Sequence, residues 1–374
     1  MSKVYLKDVV ARIKDKVDKD NTDLEYYIGG EHFDNGEIQI TKKGVIAGST
    51  IGPAFHMKFV PGDVLLMSRN PHLRKAGVVD FEGICSDVSY VCRTKDENVL
   101  MQRFLPFIFQ SDDFWRFAEE NKKGSTNFFL NWSDFEKYEF NLPPIETQRK
   151  LVEILWSFED TKTAYKKLLE KTDELVKSQF IEMFGDPMED ADTKLSDLGK
   201  ISSGGTPSRK NPDFYTGDID WYSAGELNSL YLDGSVEKIT NEAIEKSSTT
   251  VYPEGTLLIG MYDTAAMKMG ILKKESAANQ ACAGFTPIGK VDVLWIYAAL
   301  NISKEKILLM RRGCRQKNLN VGMIKNLQLK LPSLGKQIEF VRFFKQSDKS
   351  KFELKQAIAD VDNLARALMQ QELK

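Results

Sequence analysis

The sequence predicts a duplicated chain: two similar domains of short strands and turns, each followed by one long helix, with the two helices pairing antiparallel. Three observations carry this. Motifs recur at a constant offset, the segments follow the same order in both halves, and two long Pro-free stretches hold an apolar stripe at helical spacing.

The 374 residues suit about two globular domains. Hydrophobic residues at 42% and charged residues at 28% are enough for real cores. With 52 Lys plus Arg against 54 Asp plus Glu, the net charge of −2 excludes a uniformly basic coat. Any nucleic-acid site is therefore a local basic patch. No apolar stretch reaches the length of a bilayer span, and the first residues have no apolar signal core, so no membrane partner and a cytoplasmic location are expected. Four scattered cysteines and three histidines offer neither a disulfide framework nor a His-rich metal site.

The repeat is read from paired motifs. Leu130-Asn131 precedes Leu142-Pro143 and Gln148. Leu319-Asn320 precedes Leu331-Pro332 and Gln337, in each case 189 positions later (319 − 130 = 189). The same offset relates Leu6-Lys7-Asp8-Val9 to Leu195-Ser196-Asp197-Leu198. Pro61-Gly62-Asp63-Val64-Leu65-Leu66 matches Glu254-Gly255-Thr256-Leu257-Leu258 at a slightly different offset, so insertions lie inside the domains. The boundaries that follow are 1–143 and 187–332 for the domains, and 144–186 and 333–374 for the helices. Within the domains, runs such as Gly77-Val78-Val79-Asp80-Phe81 and Gly255-Thr256-Leu257-Leu258-Ile259 read as strands punctuated by turn residues.

The first helix is expected to bury Leu151, Ile154, Phe158, Tyr165, Leu168 and Leu175, and the second Phe340, Phe343, Leu354, Val361 and Leu364, on a near-heptad seam. Gly185-Asp186-Pro187 stops the first helix. About 40 residues make about 60 Å of helix, more than one such domain can cover. The two helices should therefore pack on each other as a rigid coiled-coil spacer.

Catalytic patterns fail on inspection. Gly284-Phe285-Thr286-Pro287-Ile288-Gly289-Lys290 resembles a phosphate loop but continues with Val291 where Ser or Thr should hold magnesium. Asn70-Pro71-His72 and Asn211-Pro212-Asp213 lack the second Pro of an amino-methyltransferase motif, and Glu353-Leu354-Lys355 reads as a salt-bridging helix surface. What remains is two cation-rich, glycine-hinged loops before the two joints. One holds Lys122, Lys123, Ser125 and Asn127, the other Arg311, Arg312, Arg315, Gln316 and Lys317. Such loops reach phosphates with their backbone and base edges with Arg, Gln or Asn. Arg69, Arg74 and Lys75 form a further basic cluster, with Lys268 in its counterpart region.

Gly204-Gly205-Thr206-Pro207-Ser208-Arg209-Lys210-Asn211-Pro212 with Ile219-Asp220-Trp221 resembles the opening of a target-recognition domain in specificity subunits of type I restriction–modification systems. Ser178 to Pro187 resembles the end of their central helix, and Leu142-Pro143-Pro144-Ile145-Glu146-Thr147-Gln148 its entry. The first domain departs from the pattern, with Lys14-Asp15-Lys16 where the Gly-Gly-Thr-Pro would stand. The resemblance covers almost the whole chain. It implies an α/β fold with two target-recognition domains, two antiparallel helices and pseudo-twofold symmetry. It adds Arg209 and Lys210 to the DNA-binding candidates. It further implies a subunit without catalysis or cofactor of its own that reads a bipartite site in double-stranded DNA. Its partners would be two modification subunits carrying S-adenosylmethionine and, where present, restriction subunits using ATP with Mg. A single-chain DNA methyltransferase and a coiled-coil protein-binding scaffold are the competing readings.

Overall fold

The structure is a computed structural model that describes residues 2–289, 291–312 and 318–373. The chain divides into two compact units, Met1–Lys167 with Leu354–Lys374, and Leu168–Glu353.

The first unit is built on two four-stranded sheets. One runs, in spatial order, Val10–Ile13, Ser89–Thr94, Val64–Met67 and Ala76–Val78, antiparallel throughout. The other runs Gly44–Val45, Tyr26–Ile28, Gly83–Ser86 and Phe55–Phe59, with its two central strands parallel. Val64-Leu65-Leu66-Met67 shows why an unbroken apolar run forms a strand here. Val64 and Leu66 enter the core beneath the helices Leu105–Gln110 and Asp112–Glu120, while Leu65 and Met67 enter the core between sheets. Alternate side chains point to opposite faces, and both faces are covered.

The second unit repeats this topology. Gly199–Ser203, Cys282–Pro287, Leu257–Gly260 and Met269–Leu272 follow one another in the first sheet, with Tyr231–Leu232 added as a parallel edge. Glu237–Ile239, Ile219–Tyr222, Ser276–Ala278 and Val251–Tyr252 make the second sheet, again with a parallel central pair. The joints match as well. The Leu6 N–H donates to Tyr138 O and the Leu195 N–H to Leu327 O, both at 2.8 Å. Gln148 and Gln337 are fully buried. Each donates its amide to the carbonyl of the joint proline, Pro143 or Pro332, and accepts a backbone N–H from Met101 or Asp292. That is the physical content of the Leu-Pro…Gln motif: one amide side chain satisfies backbone groups where strand turns into helix.

The long helices run Ile145–Phe184 and Leu334–Leu373, and each is shared between the units. In the second unit Asp173 meets Lys351 and Phe180 meets Phe340, so the segments run antiparallel. In the first unit Lys162 meets Asp362, while Leu151 and Leu155 share a core with Met369 and Leu373. The two ion pairs are reciprocal under the repeat, since Lys351 lies 189 positions after Lys162 and Asp362 lies 189 after Asp173.

The seam itself is a correction. Leu151 and Phe340 are buried, and Phe158, Tyr165, Phe343, Leu354 and Val361 are half-buried. Ile154, Leu168, Leu175 and Leu364 are exposed, at 42%, 50%, 53% and 57%. The covered positions on the first helix fall one residue later, at Leu155, Leu169 and Val176. On the second helix Phe344 is buried beside Phe343, and Ala365 is half-buried where Leu364 was expected. A strict 3.5-residue spacing drifts by about 20° per heptad from a straight α-helix. These helices also pack on their own domains, which widens and turns the covered face. Polar groups enter it too. Lys162 is buried against Glu159 at 2.9 Å, Asp362 at 3.2 Å and Glu37 at 3.5 Å. Burial pushes the Glu159 carboxyl up. For Glu37 burial acts in the same direction, but Lys166 and Lys162 outweigh it and hold the carboxyl below its ordinary value.

Candidate nucleic-acid interface

Two loops that lie far apart in the sequence meet in the first unit. The loop from Ser68 to Lys75 follows the central strand Val64–Met67, and the loop from Lys122 to Phe129 precedes the joint. Phe129 and Lys123 exchange backbone hydrogen bonds at 2.9 and 3.0 Å, closing the second loop. Gly124 opens it with φ +94°, and a Cβ there would lie 2.7 Å from Asn127 O, so a side chain is excluded. The Asn70 N–H donates to Phe128 O and the Leu130 N–H to Ser68 O, stitching the loops together.

The second unit holds the same device. Asn318 and Arg312 exchange backbone hydrogen bonds at 3.0 and 3.1 Å, the Leu319 N–H donates to Met261 O, and the Asp263 N–H donates to Asn318 Oδ1. Arg312 and Asn318 lie 189 positions after Lys123 and Phe129. The tip of this loop, with Arg315, Gln316 and Lys317, lies outside the described residues.

Backbone strain marks the same places. Among the described residues five non-glycines have positive φ, and four fall in these loops: Asn70 and Arg74 in the first unit, Asp263 and Met267 in the second. They correspond at one offset (263 − 70 = 193, 267 − 74 = 193). Left-handed backbone in side chains such as Arg and Met is unfavourable and clusters at functional sites.

The electrostatics separate the candidates. Arg69 is exposed and stacks over Phe129, 5.4 Å from its centroid, and Lys122 lies 4.3 Å over Phe128 while paired with Glu119. Lys123 is half-exposed and bonded at 2.7 Å to the buried Asp134, whose carboxyl that lysine holds below its ordinary value. Ser125, Asn127 and Arg312 are exposed, and Arg311 donates from Nε to Leu308 O. Arg74 and Lys75 turn inward instead, to Asp112 at 2.6 Å and to Gly30 O at 2.7 Å. Lys268 is half-buried and donates to Asn228 Oδ1. Arg209 is clamped by both oxygens of Glu237 and stacks over Tyr215 and Trp221, while Lys210 beside it is exposed. The Gly-Gly-Thr-Pro stretch is packed into the domain, since Trp221 Nε1 donates to Gly205 O and Tyr215 Oη to Pro207 O.

Arg12 escaped the sequence reading. Its guanidinium lies 4.3 Å over the Tyr90 ring, and the Tyr90 hydroxyl donates to Leu130 O at the stitched joint. Only the strand pairing reveals this neighbourhood. Among the described residues Cys85 and Cys282 are buried, and burial pushes their thiols up to about 12, away from the thiolate a nucleophile needs. Among the described residues no helix is long and apolar enough to cross a membrane.

The family model for the type I restriction modification DNA specificity domain matches the chain twice, over residues 3–175 and 188–361. The chain belongs to that family. Each specificity domain match runs from one unit's first strands into the long helix that follows. Among curated relatives, the chain is 25% identical over 152 residues to the type I restriction enzyme MjaIX specificity subunit of Methanocaldococcus jannaschii, covering 38% of this chain and 34% of that protein. It is 24% identical over 160 residues to the EcoR124I/EcoR124II specificity subunit of Escherichia coli, covering 41% and 40%. The alignments thus span about a third to two fifths of those relatives' length. Among solved structures, a chain from a study of assembly and conformational transition of the type I R-M system matches with a TM-score of 0.59 at 17% identity, covering 99% of this chain and 97% of that one. The S subunit of a type I restriction–modification system from M. genitalium matches with a TM-score of 0.58 at 12% identity, covering 100% and 96%. The fold of this chain is therefore two α/β domains with two long helices.

Proposed function

We propose that this chain is the DNA-recognition subunit of a type I restriction–modification complex, in which each unit reads one half of a bipartite duplex site. The observation that carries this is the stitched loop pair, present in both units with cations and matched left-handed residues. A phosphate is a ready partner for Arg312, and for Lys122 and Lys123 in exchange for Glu119 and Asp134, and base edges for Arg69 and Asn127. The helices would set the spacing between half-sites and carry two modification subunits. Ile154 in the first unit and Leu168 and Leu175 in the second leave apolar surface that such partners would cover. Methylation, with S-adenosylmethionine, and any ATP-driven cleavage would reside on the partners in the cytoplasm. This chain itself is non-catalytic in this reading.

The test is to assemble the chain with its modification subunits and map methylated adenines in the host genome. A two-part motif with one fixed gap is expected. Replacing Arg69, Lys122, Lys123 and Arg312 together by Ala should weaken duplex binding and lower its salt dependence. Unchanged binding would sink this placement, and failure to bind any duplex would favour the protein-binding scaffold.

A further inference from the structure

Beside the stitched loops of the first unit lies a half-buried guanidinium, that of Arg12, which pairs with no carboxylate among the described residues. Arg12 lies in the strand Val10–Ile13, opposite Cys92, on the sheet face that also presents Tyr90. It is half-buried and stacked on Tyr90, and Tyr90 in turn packs edge-on against Trp132, just past the basic loop. The Nε is buried with no hydrogen-bond partner, and among the described residues no carboxylate pairs with the group. Arg74, Arg93 and Arg116 of the same unit each hold an aspartate. A half-buried cation with an orphaned donor is costly, and it persists where a ligand completes it. Stacking fixes the plane of the fork, as bidentate recognition requires. In the second unit Ile201 and Ala283 occupy the two positions of this stack.

We infer that Arg12 is a base-reading residue of the first recognition domain alone, held by Tyr90 to present its fork to a guanine edge. This rests on the DNA-recognition reading above and makes the two domains unequal. The first has a reader on its edge strand, while the second relies on its loops.

The experiment uses the full chain assembled with modification subunits and duplexes carrying every single-base change of the mapped target. Arg12→Ala should abolish discrimination at one guanine of the first half-site, by about ten- to a hundredfold, with the second half-site unaffected. Arg12→Gln should move the preference at that position from guanine toward adenine, which a structural role would not do. An unchanged base profile in both variants would overturn the inference. So would uniform weakening over all sequences with the salt slope lowered by about one, the signature of a phosphate contact. If the wild-type complex itself shows no base preference, the recognition reading fails and this inference fails with it. If the wild type discriminates but the variants match it, the inference alone fails.

Discussion

Single side chains carry the joints of this fold. Gln148 is buried and bonded to Val99 O, Pro143 O and the Met101 N–H, and Gln337 makes the matching bonds to Pro332 O and the Asp292 N–H. Gln148→Ala strands buried backbone groups, and denaturant unfolding should register a loss of about 1–3 kcal/mol or more. An exposed polar residue such as Asn127 should change stability by less than about 0.5 kcal/mol. A second residue-scale expectation concerns pH. The hydrogen bond from Lys123 lowers the Asp134 carboxyl from its ordinary 3.8. A lowered carboxyl contributes stability that is complete above its unfolded value and is lost as pH falls through the folded one. The pair therefore stabilises the basic loop in full above about pH 4 and progressively less as pH falls further, through the lowered folded value. Lys123→Met should flatten acid unfolding in that window, and an identical acid limb in the variant would exclude the linkage.

At the scale of elements, the helix seam is divided between apolar and ionic packing. Phe180 is fully buried among Phe184, Phe340 and Trp295 in the second unit. Phe180→Ala should cost about 3–5 kcal/mol, whereas Leu175→Ala on the exposed face should cost less than about 0.5 kcal/mol. If instead Leu175 proves the costly one, the seam assignment is wrong. In the first unit Lys162 joins both helices and the loop bearing Glu37. Lys162→Ala leaves the buried Glu159 without its partner beside the part-exposed Glu37 and Asp362, and removal of one partner of a buried ion pair typically costs about 3–5 kcal/mol. A thermal scan of the two variants at one pH would show whether the ionic half of the seam is as dependent on its partners as the aromatic half.

For the whole molecule the reciprocal ion pairs have a consequence. Lys162 pairs with Asp362, the repeat counterpart of Asp173, and Asp173 pairs with Lys351, the counterpart of Lys162. In a dimer of residues 1–187, Lys162 of one copy would face Asp173 of the other, twice. An isologous pair satisfies both bonds and covers both apolar stripes. That fragment should sediment as a dimer at tens of micromolar, and Asp173→Lys should return it to monomer. A folded monomer would mean that the repeat is ancestral similarity without working symmetry. Trp156 and Phe158 stand where the second helix has Lys345 and Ser347, so the dimer should be weaker than the native pair. A turn of about 3–4 residues added to the first helix lengthens it by about 5 Å, and the accepted gap should grow by about one or two base pairs. Retention of the original gap would exclude the helices as the spacer.

The sequence alone determined the duplication, the two helices and the joints, because these rest on short-range signals. Helical periodicity, the Leu-Asn and Leu-Pro…Gln motifs and one constant offset are legible without any long-range contact. It also located the basic loops before the joints. The tertiary structure decided what those loops meet. Ser68 pairs with Leu130 and Met261 with Leu319 across dozens of residues, the strand pairing sets Arg12 over Tyr90, and folding turned Arg74 and Arg209 toward Asp112 and Glu237. Which face of each helix is covered was likewise settled only in three dimensions. A drift of about 20° per heptad is invisible in a seven-residue pattern, and the domains packed against the helices choose the face.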